Sequence, residues 1–449
     1  MTRLHLLPLV MAGLLALAAL FLAAPPIEGA VPIPGAPQDH PMALVGGTIH
    51  TMRGPAFRGT VVFDRGRIVS VSDSAAAIPP GVERIDVAGK EVYPTLVDVC
   101  SRLGLTEIDA VRATRDDDET GSITPEVRAE VAVNPESELI PVTRSNGVLA
   151  ALTAPTGGLI SGTSALLLLD GWTWQDMTLR APVALHLNWP AMATGRSPAV
   201  PDSVRKRQVE TRDKALRDIH RAFEDARAYM VERRASGAGT PPHEHDQRWE
   251  AMLPVLEGRI PVLVRADEAQ QIEAAVAFAA EQKIRIVIYG GYDAPRCAGL
   301  LRKLDVPVIV SATHRMPLRG FDAYDDPFTL PERLRAAGIR FCIANGGGSW
   351  NERNLPYQAA TAVAYGLPRD EALRAVTLSP AEILGVSDRI GSLEVGRDAT
   401  LIITDGDPLE TTTHVERAFI QGRAVDLGDR QKVLYGKYRE KYRRLEERR

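Results

Sequence analysis

The sequence predicts a mixed α/β fold, in which a (β/α)8 TIM barrel is inserted into a small, discontinuous β-sandwich-like domain. Two observations lead to this fold class. Short β-branched runs separated by Gly and Asp occur near both ends of the chain, in residues 42–92 and 392–430. Between them, in residues 93–391, apolar runs of strand length alternate with helical segments, which is typical of a parallel sheet with both faces covered.

The two flanks carry hairpin patterns. Residues 60–63 and 67–71 are β-branched runs joined by an Asp-Arg-Gly turn, and residues 415–420 and 423–425 are joined by Gln421 and Gly422. Such distant segments can share a domain only if the middle of the chain folds as a unit and returns its ends together. The flanks are therefore predicted to form one composite β domain.

The middle of the chain supplies the strands and helices of the predicted barrel. Its strand-like runs are residues 147–152, 183–187, 260–264, 284–289, 306–310 and 341–344, with helical runs at 268–282 and 330–337. Residues 203–245 are predicted to be a charged helical insertion, a surface helix with one apolar stripe. Residues 431–449 are predicted to form a charged C-terminal helix.

The N-terminus predicts export. Arg3 precedes a nearly continuous apolar run to Ala24, and small residues and a Pro-rich stretch follow. This order predicts a signal peptide in residues 1–24 and a linker in 25–41, which places the protein in the periplasm or outside the cell. The alternative is an uncleaved N-terminal anchor, because the run approaches the length of a membrane span. No second run of that length occurs, so the mature chain is expected to be soluble.

Composition narrows the function. A net charge of -4 over 449 residues gives no reason to expect a nucleic-acid partner. Cys100, Cys297 and Cys342 are the three cysteines of the chain, too few to indicate a disulfide framework.

Three segments carry a family resemblance. They are GKEVYPTLVD at residues 89–98, EALRAVTLSPA at 371–381 and DRIGSLEVGRDATL at 388–401. Each resembles the amidohydrolase superfamily, in the branch that includes imidazolonepropionases and related Xaa-Pro dipeptidases. The resemblance extends from about residue 42 to about residue 426. It implies a hydrolase of non-peptide carbon–nitrogen bonds or of small dipeptide-like amides.

The resemblance also implies zinc or another divalent metal at the carboxyl ends of the barrel strands. The family's ligands are a His-x-His pair after strand one, often a Lys or Glu after strand four, two separate His, and an Asp after strand eight. Here Cys100 and Arg102 occupy the His-x-His positions. Arginine repels a cation instead of binding it. The sequence therefore predicts that the metal site is lost at its first strand.

The remaining ligand positions are also unsuitable. The strand-five histidine falls at Arg265, the strand-six histidine at or beside Gly290, and the strand-eight aspartate at or beside Asn345. His186 and His314 end strand-like runs and are candidate pocket residues. His243 and His245 form a His-x-His sequence, but in a polar connection that indicates a solvated loop.

The sequence is compatible with two main functions and with a third, metal-free chemistry. The chain is predicted to be a catalytically degenerate family member, without a cofactor, that acts as a binding protein or a partner subunit. The alternative is an active amidohydrolase. A third possibility is metal-free chemistry by Arg102, Arg265, Cys100 and Asn345 on an anionic ligand. Expected partners are a small anionic or amide ligand, a second copy of the chain, or a related amidohydrolase subunit.

The lost metal site has a further consequence. If Arg102 and Arg265 both face the pocket, they are predicted to bind a carboxylate or phosphate. The alternative is that nearby acidic residues already neutralise them, with Asp98 and Asp267 as the nearest in sequence.

Overall fold

The computed structural model describes residues 33–73, 78, 80–193, 200–235 and 245–447. The predicted signal peptide and the first part of the predicted linker lie outside the described residues. The described residues from Ile33 onward belong to one compact unit, so the division of the chain into an inserted and a composite domain stays a prediction.

The strands follow one another along the whole chain. In chain order they are β1 (Met42–Ile49), β2 (Phe57–Asp64), β3 (Arg67–Ser72), β4 (Glu83–Asp86), β5 (Glu91–Pro94), β6 (Leu96–Ser101), β7 (Val148–Thr153), β8 (Ile160–Leu168), β9 (Thr178–Asn188), β10 (Val262–Ala266), β11 (Ile286–Gly290), β12 (Val308–Val310), β13 (Phe341–Ile343), β14 (Leu401–Thr404), β15 (Val415–Ile420) and β16 (Arg423–Val425).

The first sheet joins the two ends of the chain. Its order is β16-β15-β14-β5-β1-β2-β3, with β4 also paired to β1. β14 lies antiparallel to β5, with Ile402 opposite Tyr93. Phe63 and Phe419 are both buried and meet edge to face with their ring centroids 5.2 Å apart. Strands from both flanks therefore share one sheet and one hydrophobic core, and β5 leads directly into β6 of the second sheet.

The second sheet is a nearly closed barrel. Its order is β13-β12-β11-β10-β9-β8-β7-β6. β9 to β13 are parallel to one another, and β6 is parallel to β7. β6 and β13 stand at the two ends of this order, and the Asn345 N–H after β13 donates to Asp98 Oδ1 on β6 at 3.0 Å. A side-chain contact thus connects the two edge strands.

One strand departs from the regular (β/α)8 pattern. β8 runs antiparallel to both β7 and β9. The connection from β7 to β8 turns at Gly157 and Gly158, whose φ angles are 84° and 56°. Parallel strands need a crossover of a dozen or more residues, and this connection is much shorter. The expectation of eight parallel strands is therefore wrong at β8.

Helices cover the outside of the barrel. They are α1 (Leu139–Arg144), α2 (Trp174–Met177), α3 (Asp202–Ala235), α4 (Gln247–Leu256), α5 (Ala269–Gln282), α6 (Ala298–Lys303), α7 (Asp326–Ala336), α8 (Leu355–Ala364), α9 (Arg369–Ala375), α10 (Leu378–Ile383) and α11 (Arg430–Glu446), with short 3-10 turns at Arg112–Thr114, Ala129–Ala132, Ala294–Cys297 and Ser349–Asn354.

The long charged helix α3 packs through one stripe. Ile219, Phe223 and Tyr229 are buried, whereas Arg221, Glu224 and Asp225 between them are exposed. Phe223 meets Phe278 of α5 edge to face at 5.1 Å. Among the described helices, none combines the length and the apolar character that a membrane span requires.

Candidate functional site at the barrel mouth

A cavity opens at the carboxyl ends of the parallel strands, where barrel enzymes place their active sites. Its volume is about 460 Å³. Asn188 on β9, Arg265 on β10 and Tyr289 on β11 are paired in register and lie side by side on its wall. Because parallel strands end at the same edge, their last residues meet around one opening.

The cavity gathers residues from several connections as well as from strands. Its lining is Cys100, Arg102, Arg115, Asp117, Ala154, Pro155, Thr156, Gly157, Gly158, Ser161, His186, Leu187, Asn188, Leu263, Arg265, Tyr289, Gly346 and Gly347. Of the predicted site residues, Cys100, Arg102, His186 and Arg265 therefore share one pocket. Gly290, Asn345 and His314 are outside this lining.

Cys100 lies in a distorted part of β6. Its φ of 61° is in the left-handed region, and the pairing of β6 with β7 slips between Asp98 and Ser101. Such a bulge redirects the side chains that follow it. Burial raises the pKa of the Cys100 thiol, and the neighbouring Cys342 and Asp98 act in the same direction. The thiol is therefore protonated at neutral pH and is a poor nucleophile and metal ligand.

Asp98 is fixed beneath the cavity. Its Oδ1 accepts hydrogen bonds from the Val99 and Asn345 N–H groups, while the buried Oδ2 has no partner among the described residues. Burial raises the pKa of Asp98 to about 7, against the lowering effect of these two hydrogen bonds. Asp98 binds the backbone, so it is not the neutralising partner of an arginine.

Arg102 is held by a network of acceptors. Its Nε donates to the Gly347 carbonyl at 2.8 Å, and Nη1 donates to Asp117 Oδ2 at 3.2 Å. Nη2 lies 3.3 Å from Asp109 Oδ1. Two carboxylates and a carbonyl therefore surround this guanidinium group, which leaves little capacity for a ligand.

Asp117 is the centre of this network. Only 2% of the residue is exposed, and Oδ2 also accepts from the Thr156 hydroxyl at 3.0 Å. Arg115 Nε lies 3.5 Å from Oδ1. Burial acts to raise the pKa of Asp117, but the hydrogen bonds from Thr156 and Arg102 and the charges of Arg102 and Arg115 outweigh it and hold the pKa below its ordinary value. Asp117 is therefore ionised at neutral pH.

Arg265 is in the opposite situation. It is exposed in the cavity wall and has neither an ion pair nor a side-chain hydrogen bond among the described residues. Asp267, the carboxylate expected to neutralise Arg265, instead pairs with Arg315 at 3.1 Å. The two carboxylates nearest in sequence therefore neutralise neither arginine. Arg102 is neutralised by Asp109 and Asp117, whereas Arg265 keeps an uncompensated charge.

His186 contributes a neutral group to the same cavity. Its Nε2 atom is buried and has no hydrogen-bond partner among the described residues. Burial lowers the pKa of His186 to about 4, so the ring is uncharged at neutral pH. It is paired in register with Leu263 and lies two residues before Asn188.

Gly290 and Asn345 occupy their strand ends without facing the cavity. A side chain at Gly290 would place its Cβ 2.9 Å from Asp267 Oδ1, and the backbone φ there is 110°. The preceding Tyr289 lines the cavity in its place. The Asn345 amide donates to Asn351 at 2.8 Å and accepts from Gln358 at 3.3 Å. Asn345 thus belongs to a buried polar network beside the pocket.

The other candidate histidines are not among the residues that line the cavity. His314 Nε2 is 2.6 Å from the Thr361 hydroxyl, and its backbone N–H donates to Gln358. His243 is outside the described residues, so the His243–His245 pair cannot be placed. Among the described residues, no group of three or more His, Cys, Asp or Glu side chains is arranged to hold a metal ion.

The residues at the predicted ligand positions have chemistry that suits a divalent cation poorly. Cys100 is a protonated thiol, Arg102 and Arg265 are cations, Gly290 lacks a side chain, and Asn345 is used in another network. Two guanidinium groups in a partly enclosed cleft oppose the entry of a metal ion.

Arg115, Asp117, Asn188 and Tyr289 were not recognised from the sequence. Arg115 and Asp117 lie in the long connection after β6, which folds back against the β7–β8 hairpin through the bridges Asp118–Thr156 and Ile123–Ile160. The acidic run at residues 116–119, directly after Arg115, is the signal in the sequence that marks this connection.

Comparison with known proteins agrees with this architecture. Residues 325–425 match the model of the amidohydrolase family. A solved amidohydrolase from Thermotoga maritima is 25% identical, with a TM-score of 0.76, and the alignment covers 86% of this chain and 99% of that one. The chain thus has a segment of the amidohydrolase family and the fold of an amidohydrolase.

Curated relatives are also similar, but this chain spans only part of their length. Amidohydrolase tasK of Hapsidospora irregularis is 25% identical over 417 residues, 88% of this chain. This chain spans 42% of tasK, less than half its length. Imidazolonepropionase of Sphingopyxis alaskensis is 40% identical over 83 residues, which are 18% of this chain and 21% of that enzyme.

Proposed function

We propose that this protein is a catalytically degenerate amidohydrolase that binds a small organic anion at the barrel mouth without a metal. The observation that carries the proposal is the uncompensated charge of Arg265 in the cavity wall. Arg102 and Arg115 line the same cavity, and Asp117 is the only acidic residue in its described lining. The excess positive charge favours an anionic ligand.

The chemistry of the pocket suits a carboxylate. An arginine without a protein partner can donate two parallel hydrogen bonds to one carboxylate, and such charged pairs are stronger than neutral ones. A cavity of about 460 Å³ falls in the range of small-molecule sites. His186 and Tyr289 add uncharged polar groups beside Arg265. These groups could orient the rest of the ligand once Arg265 holds its anionic end.

The alternative is an active hydrolase of non-peptide carbon–nitrogen bonds or small dipeptide-like amides. Its support is the similarity to the Thermotoga maritima amidohydrolase and to tasK. The family's chemistry depends on a metal-bound hydroxide. Cys100, Arg102 and Arg265 at the predicted ligand positions do not suit a metal ion, so the binding function is the stronger candidate.

Metal content separates the two functions. We expect purified protein to carry less than about half an equivalent of zinc, manganese or iron, as measured by elemental analysis. A stoichiometric metal that is lost in Cys100→Ala or His186→Ala would contradict the binding function and favour the hydrolase.

Ligand-induced thermal stabilisation tests the anion site directly. Succinate, glutarate, phosphate and sulfate should raise the melting temperature of the wild type in a concentration-dependent way. Arg265→Ala should weaken the apparent affinity by about tenfold or more, because it removes a charged hydrogen-bond donor. Arg207→Ala, which removes the same charge from an exposed position on α3, is the matched control and should respond like the wild type. Equal responses in all three proteins would refute the site.

The remaining proposals concern partners and location. Self-association, or association with a related amidohydrolase, is proposed for the degenerate chain, and light scattering of the purified protein tests the first of these. Export through cleavage of residues 1–24 is likewise proposed from the sequence. The N-terminal residue of the mature protein, determined by mass spectrometry, tests it.

A further inference from the structure

The C-terminal helix α11 lies on the surface of the protein. None of its residues is buried, although it contains several large apolar and aromatic side chains. Tyr435 is 68% exposed and Tyr442 is 60% exposed. The helix begins with Asp429, whose side chain accepts from the Lys432 N–H at 2.9 Å. It is a well-capped helix whose large apolar side chains stay mostly exposed, although Tyr435 also lines a surface cleft beside Tyr357 and His414.

Five of the six exposed large apolar residues of α11 fall on one face, and Val433 is the exception. Leu434, Tyr435, Tyr438, Tyr442 and Leu445 are separated by three or four residues, apart from the adjacent first pair. At 100° per residue they form a stripe about 100° wide. Because isolated exposed apolar residues are ordinary but an aligned set is not, the stripe indicates a contact surface.

Basic side chains border this stripe. α11 contains seven Lys or Arg residues and two Glu residues, whereas the whole chain has a net charge of -4. Arg439 lies over the Tyr435 ring at 5.6 Å, and Lys441 lies over the Tyr442 ring at 5.7 Å. The positive charges therefore lie next to the aromatic rings on the helix surface.

We propose that α11 binds the surface of an anionic lipid bilayer, with its axis in the plane of the membrane. Tyrosine is favoured at the boundary between headgroups and acyl chains, since its ring is apolar and its hydroxyl is polar. Lysine and arginine beside the stripe attract anionic headgroups. A helix with an aromatic stripe and basic borders combines both interactions.

A second copy of the chain fits this surface poorly. Pairing two stripes would bring the basic borders of both helices together. Glu440, one of the two acidic residues of the helix, already pairs with Arg443 and Arg444 at 2.7 Å. Few carboxylates therefore remain to neutralise the borders, and an external anionic surface satisfies them better.

Vesicle flotation with the full-length protein tests the proposal. Vesicles of phosphatidylcholine with about one-third phosphatidylglycerol should carry the protein, whereas pure phosphatidylcholine vesicles should not. Each basic residue near an anionic surface contributes about fivefold to binding. Replacing both Arg439 and Lys441 with Gln should therefore weaken binding by more than about tenfold, and raising NaCl to about 0.5 M should release the wild type.

Matched substitutions test the orientation of the helix. Leu434→Ser changes the stripe, and Val433→Ser changes the adjacent position on the other face, which is also exposed. Leu434→Ser should reduce vesicle binding severalfold, and Val433→Ser should leave it unchanged. Binding to neutral vesicles, no binding to anionic ones, or equal effects of the two substitutions would overturn the proposal. So would a dimer in light scattering that Leu434→Ser dissociates, since a second copy would then occupy the stripe.

Discussion

The two walls of the barrel-mouth cavity differ in whether neighbouring groups neutralise their arginine side chains. On the β6 wall, Arg102 contacts Asp109, Asp117 and the Gly347 carbonyl. On the β9–β11 wall, Arg265 has no such partner and His186 Nε2 has none among the described residues. Similar residues at equivalent strand ends therefore have different roles: Arg102 stabilises the structure, whereas Arg265 is available to a ligand.

The difference has a structural origin. The long connection after β6 folds over its own side of the barrel and brings Asp109, Arg115 and Asp117 to Arg102. In their described residues, the connections after β9 and β10 bring no carboxylate to Arg265, and Asp267 is occupied by Arg315. Arg102 is thus compensated because the loop that follows its strand returns to it.

The largest effect should come from removing the carboxylate of the β6 wall. Asp117→Ala leaves Arg102 and Arg115 without their shared partner, and we expect the free energy of unfolding to fall by about 3 kcal/mol. Urea denaturation measures the change. Asp116→Ala, at the adjacent exposed position, is the control and should change stability by less than about 0.5 kcal/mol. Similar losses in both variants would show that the network around Asp117 is unimportant.

Asp98, beneath the β6 wall, should make the stability of the protein depend on pH. Its folded-state pKa of about 7 lies above its ordinary value of 3.8, so the folded protein binds the proton more tightly than the unfolded chain. The contribution of Asp98 to stability is therefore fully present below about pH 4 and is lost as the pH rises to about 7. Asp98→Asn cannot ionise, so its stability relative to the wild type should rise steadily between pH 4 and pH 8. Denaturation at both pH values tests this, and a constant difference would contradict it.

Arg265→Ala should barely change stability. Its side chain has no partner to lose, so the free energy of unfolding should stay within about 0.5 kcal/mol of the wild type. Arg102→Ala should lower it measurably, because Asp117 and the Gly347 carbonyl lose a donor. Thermal denaturation without added anions compares the two, and equal losses would remove the distinction between the walls.

The smallest effect concerns pH and ligand binding. Because burial holds the pKa of His186 at about 4, the ring stays neutral between about pH 5.5 and pH 8. In an Asp98→Asn variant, which removes the nearby group that titrates near pH 7, affinity for a fully ionised anion such as sulfate should then change by less than about twofold over this range. Calorimetric titration measures it. A steep loss of affinity between pH 6 and pH 7 would mean that a protonated His186 takes part in binding.

Much of the fold was predictable because it depends on local patterns. Strand-like runs and turn residues at both ends predicted strands that the structure places in one sheet. The apolar runs of the middle predicted most of the barrel strands. The sequence did not predict the direction of each strand. An apolar run such as β8 has the same periodicity whether it runs parallel or antiparallel to its neighbours.

The sequence by itself determined which residue types stand at the family's ligand positions. Cys100 and Arg102 were placed by the first motif and Arg265 by a strand-like run, and all three lie around one cavity. Only the tertiary structure decided which of these groups is compensated. The partners of Arg102 come from a loop whose path the sequence does not show, and Asp267 turns to Arg315 of another connection. Charge compensation depends on distances of a few ångströms between segments far apart in the chain, and such distances are set only when the chain folds.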